Sequence, residues 1–439
     1  MIVKIKQAVL VVGDIILMYG ALALALLIRY GTINQFLIDA HLGPFTVVFV
    51  LWVAICYIVG LYDLTGIKSK IHVIEQGVTT VGSGTVLAIV LFYLIPYFSI
   101  SPKRNLALFA LLFLFLLIGW RLLFMRISRA PQRRVLIMGS GTDVETFETF
   151  LLHAPQLGYK VVFQIKQLEN ATPQSIRDII KENQANTVVI TRDVEKIANL
   201  YDELLDHLRH GVEIVDITSA YETLLKKVPV AQLKEFWVLT NFSRKRGVYE
   251  TVKRPLEFVI ALALFVILLP LLIIIWALVK LSSQGPGIYT QVRVGKNETR
   301  FSIFKFRTMR VDAEKNGVAW ARPDDPRVTM LGRFLRFSHL DELPQLWNII
   351  RGDISFVGPR PERPEFIQGL KEKIPYYDVR HIIKPGVTGW AQVNFRYGSS
   401  IEDAQEKLQY DLYYAKHRSL TLDFLILLKT LKMFLFNYR

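Results

Sequence analysis

The chain has 439 residues, 52% of them hydrophobic, and a formal net charge of +15. That length allows two or three domains with cores of their own, and the apolar share is high for a soluble protein. The one cysteine, Cys56, excludes a disulfide within the chain and a multi-cysteine metal site. No zinc-finger, helix-turn-helix or RNA-binding signature accompanies the positive charge, so nucleic acid is not expected as a partner; the cytoplasmic bias of a membrane protein, anionic lipid headgroups and phosphorylated substrates all fit it.

The first segment, MIVKIKQAVLVVGDIILMYGALALALLIRY, has the outline of a signal peptide. Further apolar spans follow it and no clear small-residue cleavage site does, so a retained membrane helix is expected. Four apolar stretches, Ala8–Ile28, Phe45–Leu61, Thr80–Ile100 and Leu106–Phe124, approach the ~20 residues that cross a bilayer core. Asp14 is the acid within the first, placed either inside the bundle with a partner or near the interface. Lys4 and Lys6, then Lys68 and Lys70, then Arg121, Arg126, Arg129, Arg133 and Arg134 mark one side of these helices as cytoplasmic. Lys103 and Arg104 fall on the other side and are outnumbered.

Composition then changes. RRVLIMGSGTDVETFETFLLHAPQLGYKVVF reads as strand, glycine turn, helix and strand, with further strands from Thr187 and Gly211. A Rossmann-like α/β domain is expected over residues 132–240. Gly139-Ser140-Gly141 opens like a dinucleotide fingerprint, but Val144 stands where the third glycine belongs. A structural turn without cofactor is the preferred reading, against a bound nucleotide.

Pro255–Leu281 is long enough to span a membrane, yet both of its flanks are basic: Arg244, Lys245, Arg246, Lys253 and Arg254 before it, Lys280, Arg293, Lys296, Arg300, Lys305, Arg307 and Arg310 at or after its end. A hairpin that bends at Pro270 and leaves by the side it entered reconciles length with charge, the plainer alternative being a kinked spanning helix. The tail from Ser419 to Phe436 carries Asp423, Lys429 and Lys432, and is expected to lie on the membrane surface or pack on the hairpin.

The chemistry concentrates in FSHLDELPQLWNIIRGDISFVGPRPERPEF, residues 337–366. Asp341 and Glu342 stand between Lys305, Arg307, Arg327, Arg333 and Arg336 on one side and Arg360, Arg363, Arg380, His381 and Lys384 on the other. Arginine forks match phosphate geometry, so this density fits a substrate with more than one phosphate. Helical neighbours point ~100° apart, so the two acids suit different tasks: a carboxylate attacking phosphorus, and a hard oxygen ligand for Mg²⁺. Simple pairing with local arginines is the bland alternative.

Taken together, KFRTM (305–309), DPRVTMLGRFLR (325–336), LDELPQLWNIIRGDISFVGPRPE (340–362) and KPGVTGWAQV (384–393) resemble bacterial polyprenyl-phosphate glycosyl-1-phosphate transferases. The resemblance extends over essentially the whole chain to the large multi-domain branch, and residues 397–423 look most like exopolysaccharide-type members. It implies a multi-domain membrane protein: a four-helix transmembrane bundle (1–128), the Rossmann-like α/β domain (132–240), a re-entrant membrane helix (250–281) and a mainly helical catalytic domain (282–439) at the cytoplasmic face of the bacterial inner membrane. It further implies Asp341 as nucleophile, Glu342 as the Mg²⁺-associated acid, and Arg336, Arg360, Lys305 and Arg307 as phosphate-contacting or site-organising groups; Arg333 is counted as phosphate-binding from the basic cluster itself. The substrates implied are a UDP-sugar and undecaprenyl phosphate, with UMP released and exopolysaccharide, capsule or O-antigen assembly begun. The family's helix break often follows a serine; Leu269 stands before Pro270 here. Two other readings are kept: a non-catalytic membrane scaffold or regulator of polysaccharide assembly, and a membrane-anchored nucleotide-dependent oxidoreductase resting on Gly139-Ser140-Gly141. The α/β domain is open to two roles, support of a homodimer and sensing of a ligand. His339, His381 and Trp390 are each equally readable as sugar-pocket lining or as packing.

Overall fold

The computed structural model describes residues 2–62, 70–94, 103–127, 133–154, 157–168, 171–197, 200–233, 235–242, 247–311, 313, 325–395, 398 and 400–436. Lys68, Arg129 and Arg244–Arg246, counted above as flanking charges, lie outside them. The chain divides into two compact units, Met1–Ile217 and Thr218–Arg439.

The first unit begins with helices α1 (Ile2–Tyr30), α2 (Gln35–Val59), α3 (Lys70–Leu94) and α4 (Lys103–Ile127). α1 packs on α2 and α4, and α3 on the same two, so the four close into a ring. Aromatic rings fill it: Phe109 stacks on Phe49 at 5.2 Å and on Phe113 at 5.6 Å, and Trp52 meets both Phe109 and Phe113 edge-on. All four helices start earlier than their apolar runs, α2 and α3 by the most. In α3 the hydroxyls of Thr79, Ser83 and Thr85 donate to the carbonyls of Glu75, Thr79 and Val81, four residues back, so these polar side chains are satisfied within the helix. In α2, Asn34 Oδ1 accepts from Leu37 N at 2.9 Å and caps the start, with Pro44 inside the helix.

Asp14 is buried in this ring and accepts from Arg121 Nη2 at 2.6 Å. Arg121 therefore does not belong with the flanking charges that orient the helices. Its charge is spent inside the bundle, where an unpaired Asp14 would be costly.

The rest of the unit alternates β1 (Arg133–Met138), α5 (Thr142–His153), β2 (Tyr159–Ile165), α6 (Pro173–Glu182), β3 (Thr187–Ile190), α7 (Leu200–Arg209) and β4 (Glu213–Asp216). All strand pairs are parallel, in the order β2-β1-β3-β4. Leu136, Met138, Ile176, Ile180 and Val188 form its core. The glycine turn has a packing explanation. Gly139 has φ +128°, and a Cβ there would lie 2.0 Å from Thr191 Oγ1. Val144 is fully buried, so the first turn of α5 is set by packing at that position.

The second unit runs α8 (Ile217–Leu225), α9 (Glu235–Phe242), α10 (Gly247–Ser282), β5 (Ile288–Val294), β6 (Arg300–Phe306), α11 (Met330–Phe337), α12 (Gln345–Arg351), β7 (Ser355–Val357), α13 (Pro364–Lys373), β8 (Gly386–Thr388), α14 (Trp390–Asn394), α15 (Ile401–His417) and α16 (Leu420–Phe436). β5 and β6 form an antiparallel hairpin, and β7 and β8 a short parallel pair.

Five helices, α1–α4 and α10, are long and apolar enough to cross a membrane by length and composition. No non-helical turn interrupts α10 at Pro270: the helix runs through all of its 36 residues, with Pro255 and Pro270 inside it. A proline withdraws one N–H from the ladder, and the flanking turns of this strongly apolar segment remain helical. Both arms of α10 nonetheless pack on the same domain. Ala261 joins Leu346, Ile349 and Ile354, while Leu272, Ile275 and Val279 join Phe306 and Leu335, and Phe265 touches both clusters.

Charged side chains fasten the N-terminal part of α10. Lys253 Nζ reaches Asp423 on α16 at 2.9 Å, Val357 O at 3.0 Å and Tyr414 Oη at 3.1 Å. Arg254 donates to the carbonyls of Ile349 and Ile350 at the end of α12, at 2.6 and 2.8 Å. Glu257 accepts from Phe356 N at 3.1 Å and from the Ser355 hydroxyl, with Lys253 3.7 Å away. The tail expected on the membrane or on the apolar segment packs on α14, β7 and β8 and is tied to α10 by the Lys253–Asp423 ion pair.

Gly332 on α11 is a close approach: a Cβ would lie 2.1 Å from the carbonyl oxygen of Thr308. Neither backbone has room to move without displacing α11 from β6. Gly332→Ala should cost about 1–3 kcal/mol of stability, read as a lower melting temperature of the detergent-solubilised chain; an unchanged melting temperature would contradict this packing.

Candidate active site

The two acids sit where the chain reverses between α11 and α12. His339 takes a left-handed conformation, φ 55°, and Leu340–Glu342 follow as one 3₁₀ turn in which Glu342 N donates to His339 O at 3.2 Å. Histidine is among the few non-glycine residues that visit this region with any frequency. That is the task of His339 in the fold. Its ring meets Phe434 of α16 edge-on at 4.6 Å.

Three elements bring cations to this turn. β6 carries Lys305, whose Nζ lies 2.7 Å from Glu342 Oε1. The Gly358–Pro361 loop carries Arg360, whose Nη2 lies 3.0 Å from the same oxygen. α11 carries Arg336, whose Nε donates to Thr308 Oγ1 at 2.8 Å and whose charge acts on Asp341. Asn348, fully buried, locks the frame: it donates to Ser302 O at 2.7 Å and accepts from Phe304 N at 3.1 Å, tying α12 to β6.

The electrostatics separate the two carboxyls. Burial opposes ionisation of Glu342, but Arg360 and Lys305 outweigh it and hold that carboxyl far below the ordinary carboxylate range. Among the described residues Asp341 makes no such contact. Burial, reinforced by the charge of Glu342, pushes it up to about 6 against the pull of Lys305, Arg336 and Arg360. At neutral pH Glu342 is a fixed anion, whereas Asp341 is an ionised carboxylate destabilised by its surroundings and short of neutralising contacts. Burial also lowers Lys305, and Glu342 works against that shift.

The other sequence candidates divide. Arg307 does not face the acids. It is buried and donates to the carbonyls of Val279, Ser283 and Gln284 at 3.2, 2.7 and 2.8 Å, capping the C-terminal end of α10. The expected phosphate role is withdrawn for it, because its donors are spent on helix carbonyls. Arg333 lies exposed on α11. Arg327 pairs with Asp325 at 2.6 Å. Trp390 is packed: it is buried, its Nε1 donates to Lys226 O at 2.8 Å, and Lys429 lies over its ring. His381 instead lines a shallow recess with Arg360, Arg380 and three prolines, Pro359, Pro361 and Pro385. Burial, with Arg380 beside it, lowers His381 to about 4, so it is neutral at pH 7. Sequence reasoning missed Asn348, although a lone amide inside LWNII is a recognisable sign of a buried bridging group.

Among the described residues no three His, Cys, Asp or Glu side chains gather as a metal cage. Mg²⁺ ordinarily takes one or two carboxylates and completes its shell with waters and substrate phosphates. Adjacent Asp341 and Glu342 oxygens fit that pattern, with both cations on Glu342 crowded onto Oε1.

The bacterial sugar transferase family model matches residues 248–437. The chain is 37% identical over 227 residues to a UDP-N-acetylgalactosamine-undecaprenyl-phosphate N-acetylgalactosaminephosphotransferase of Aeromonas hydrophila, covering 52% of this chain and 53% of that protein. It is 31% identical over 319 residues to a UDP-glucose:undecaprenyl-phosphate glucose-1-phosphate transferase of Klebsiella pneumoniae, covering 68% and 67%. It is 37% identical over 185 residues to an exopolysaccharide production protein of Rhizobium leguminosarum bv. phaseoli, covering 41% of this chain and 92% of that one. The chain thus spans about half the length of the Aeromonas relative and nearly all of the Rhizobium one.

The raised carboxyl gives a pH prediction. A folded-state value of about 6 for Asp341 lies above the ordinary ~4 of an unfolded Asp, so ionising it weakens the fold as pH rises through that window. In metal-free protein, a carboxyl infrared band that vanishes in Asp341→Asn should titrate near 6. Titration near 4 would contradict the burial and charge balance described.

Proposed function

The chain belongs to the bacterial sugar transferase family, and from that premise we propose that it transfers a sugar-1-phosphate from a UDP-sugar to undecaprenyl phosphate and so begins assembly of a surface polysaccharide. The observation that carries this reading is the division of labour in the 3₁₀ turn: Glu342 is held by Lys305 and Arg360, while Asp341 beside it lacks such contacts.

In the proposed reaction a carboxylate oxygen of Asp341 attacks the phosphorus that bears the sugar. The P–O bond to UMP breaks and UMP leaves with that electron pair. An oxygen of undecaprenyl phosphate then attacks the same phosphorus, the acyl-phosphate P–O bond breaks, and Asp341 returns as a carboxylate. No bond at the anomeric carbon changes, so its configuration is retained. Arg336 and Arg360 bind phosphate oxygens that would otherwise repel an anionic nucleophile. Lys305 keeps Glu342 ionised and in place. Magnesium, when bound, would neutralise charge on the diphosphate, with Glu342 and the substrate's own oxygens as its donors.

One substrate is soluble and the other is fixed in a bilayer, so the turn belongs at an interface. In our reading α10 enters the membrane from the cytoplasmic side, bends within the helix at Pro270 and returns to the side it entered. The support is the packing of both its arms on one domain, while Val266, Ile267, Ile273 and Ile274 around Pro270 are exposed. Holding both substrates at one turn removes much of the encounter cost.

The test is a UMP-release screen of the full chain with UDP-glucose, UDP-galactose and their N-acetylated counterparts, in the presence of undecaprenyl phosphate and Mg²⁺. At least one sugar should release UMP, and Asp341→Asn should lower that rate at least about a thousandfold. Release at a near-normal rate from Asp341→Asn, or from no sugar with the wild-type chain, would contradict the proposal.

A further inference from the structure

The Gly-Pro-Arg-Pro loop is held from outside itself. Pro359 and Pro361 supply no N–H, and each carbonyl from Pro359 to Glu362 accepts from another segment. Gly386 N reaches Pro359 O at 2.9 Å, Arg380 Nη2 reaches Arg360 O at 2.9 Å, Arg293 Nη1 reaches Pro361 O at 3.0 Å, and Val294 N reaches Glu362 O at 3.0 Å. The contact at Arg360 itself therefore comes from a side chain.

That side chain is anchored. Arg380 lies in the 3₁₀ turn Tyr377–Ile382, with its Nη2 2.8 Å from Asp411 Oδ2 on α15 and its Nη1 donating to Tyr377 Oη at 2.6 Å. The side chains of Arg380 and Asp411 are 7% and 2% exposed. A buried ion pair is a poor way to stabilise a fold, since well-packed apolar residues do as well or better. Its worth here is directional. Asp411 aims Arg380, Arg380 fixes the backbone of Arg360, and Arg360 reaches Glu342.

We propose that Arg380 and Asp411 are positioning residues for the reaction, acting through Arg360 on the acidic turn without touching substrate. The inference rests on the proposed transferase activity for its rate readout, but not for its structural one. A displacement of about 1 Å in a reacting site can cost about a hundredfold in rate, so a loss of about tenfold to a hundredfold is expected when the anchor is removed.

The informative variant replaces both charges, Arg380→Met with Asp411→Leu, because it leaves no uncompensated buried ion; Asp411→Asn is the near-isosteric companion. In the full chain, the paired variant should keep its melting temperature, yet amides of the 358–362 loop should exchange hydrogen about tenfold faster. With the UDP-sugar that the wild type turns over, its UMP release should fall about tenfold to a hundredfold. Adding Arg360→Lys should deepen that loss by less than about twofold, because the two changes interrupt one chain of contacts. Loop exchange within about twofold of wild type overturns the proposal whether or not the chain is active, as do UMP release at wild-type rate or losses that multiply with Arg360→Lys. A wild-type chain that releases no UMP from any sugar would overturn the transferase reading, and loop exchange would then decide the positioning role alone.

Discussion

The sharing of one carboxylate oxygen, Glu342 Oε1, between Lys305 and Arg360 is the interaction on which the rest of the site depends. It joins β6, the 3₁₀ turn and the Gly358–Pro361 loop at a single point. Two cations on one carboxyl keep it ionised in spite of burial, and the anion so fixed adds to the burial that raises its neighbour. Asymmetric contact, not any difference between Asp and Glu as such, gives the two carboxyls different electrostatic surroundings.

The same use of buried charge recurs around the site. Arg307 and Arg254 spend their guanidinium groups on helix carbonyls, one closing α10 and the other closing α12. Lys253 ties the start of α10 to Asp423 and Tyr414, and Asn348 ties α12 to β6. The apolar helix is thereby fastened to the domain that carries the acids at both of its ends. Much of the positive charge near it is internal fastening, which leaves a smaller share than the formal +15 suggests for lipid or phosphate.

Most of the architecture was legible from period and length. The four apolar runs, the alternating strands and helices after Arg133, and the singular position of Asp341 and Glu342 each follow from local sequence. Helix starts were less so: α3 begins well before its apolar run, in a polar stretch, and an asparagine cap moves the start of α2. The roles of individual arginines were the least legible. Arg307 and Arg360 look alike as sequence, and Arg121 looks like a flanking charge; only the partners, the carbonyls of α10, Glu342 and Asp14, separate them. Those partners are 18 to 107 positions away, beyond any local pattern. His339, unassigned from sequence, turned out to be the left-handed residue that makes the acidic turn.

A nucleophilic Asp341 is the central claim, and a covalent adduct tests it most directly. The full chain would be incubated with the UDP-sugar it turns over, without undecaprenyl phosphate, and examined by intact-mass and peptide mass spectrometry. The predicted result is a mass gain of one sugar phosphate on the peptide containing Asp341, absent from Asp341→Asn and discharged when the lipid phosphate is added. Transfer to the lipid with no such adduct, or an adduct on another residue, would contradict it.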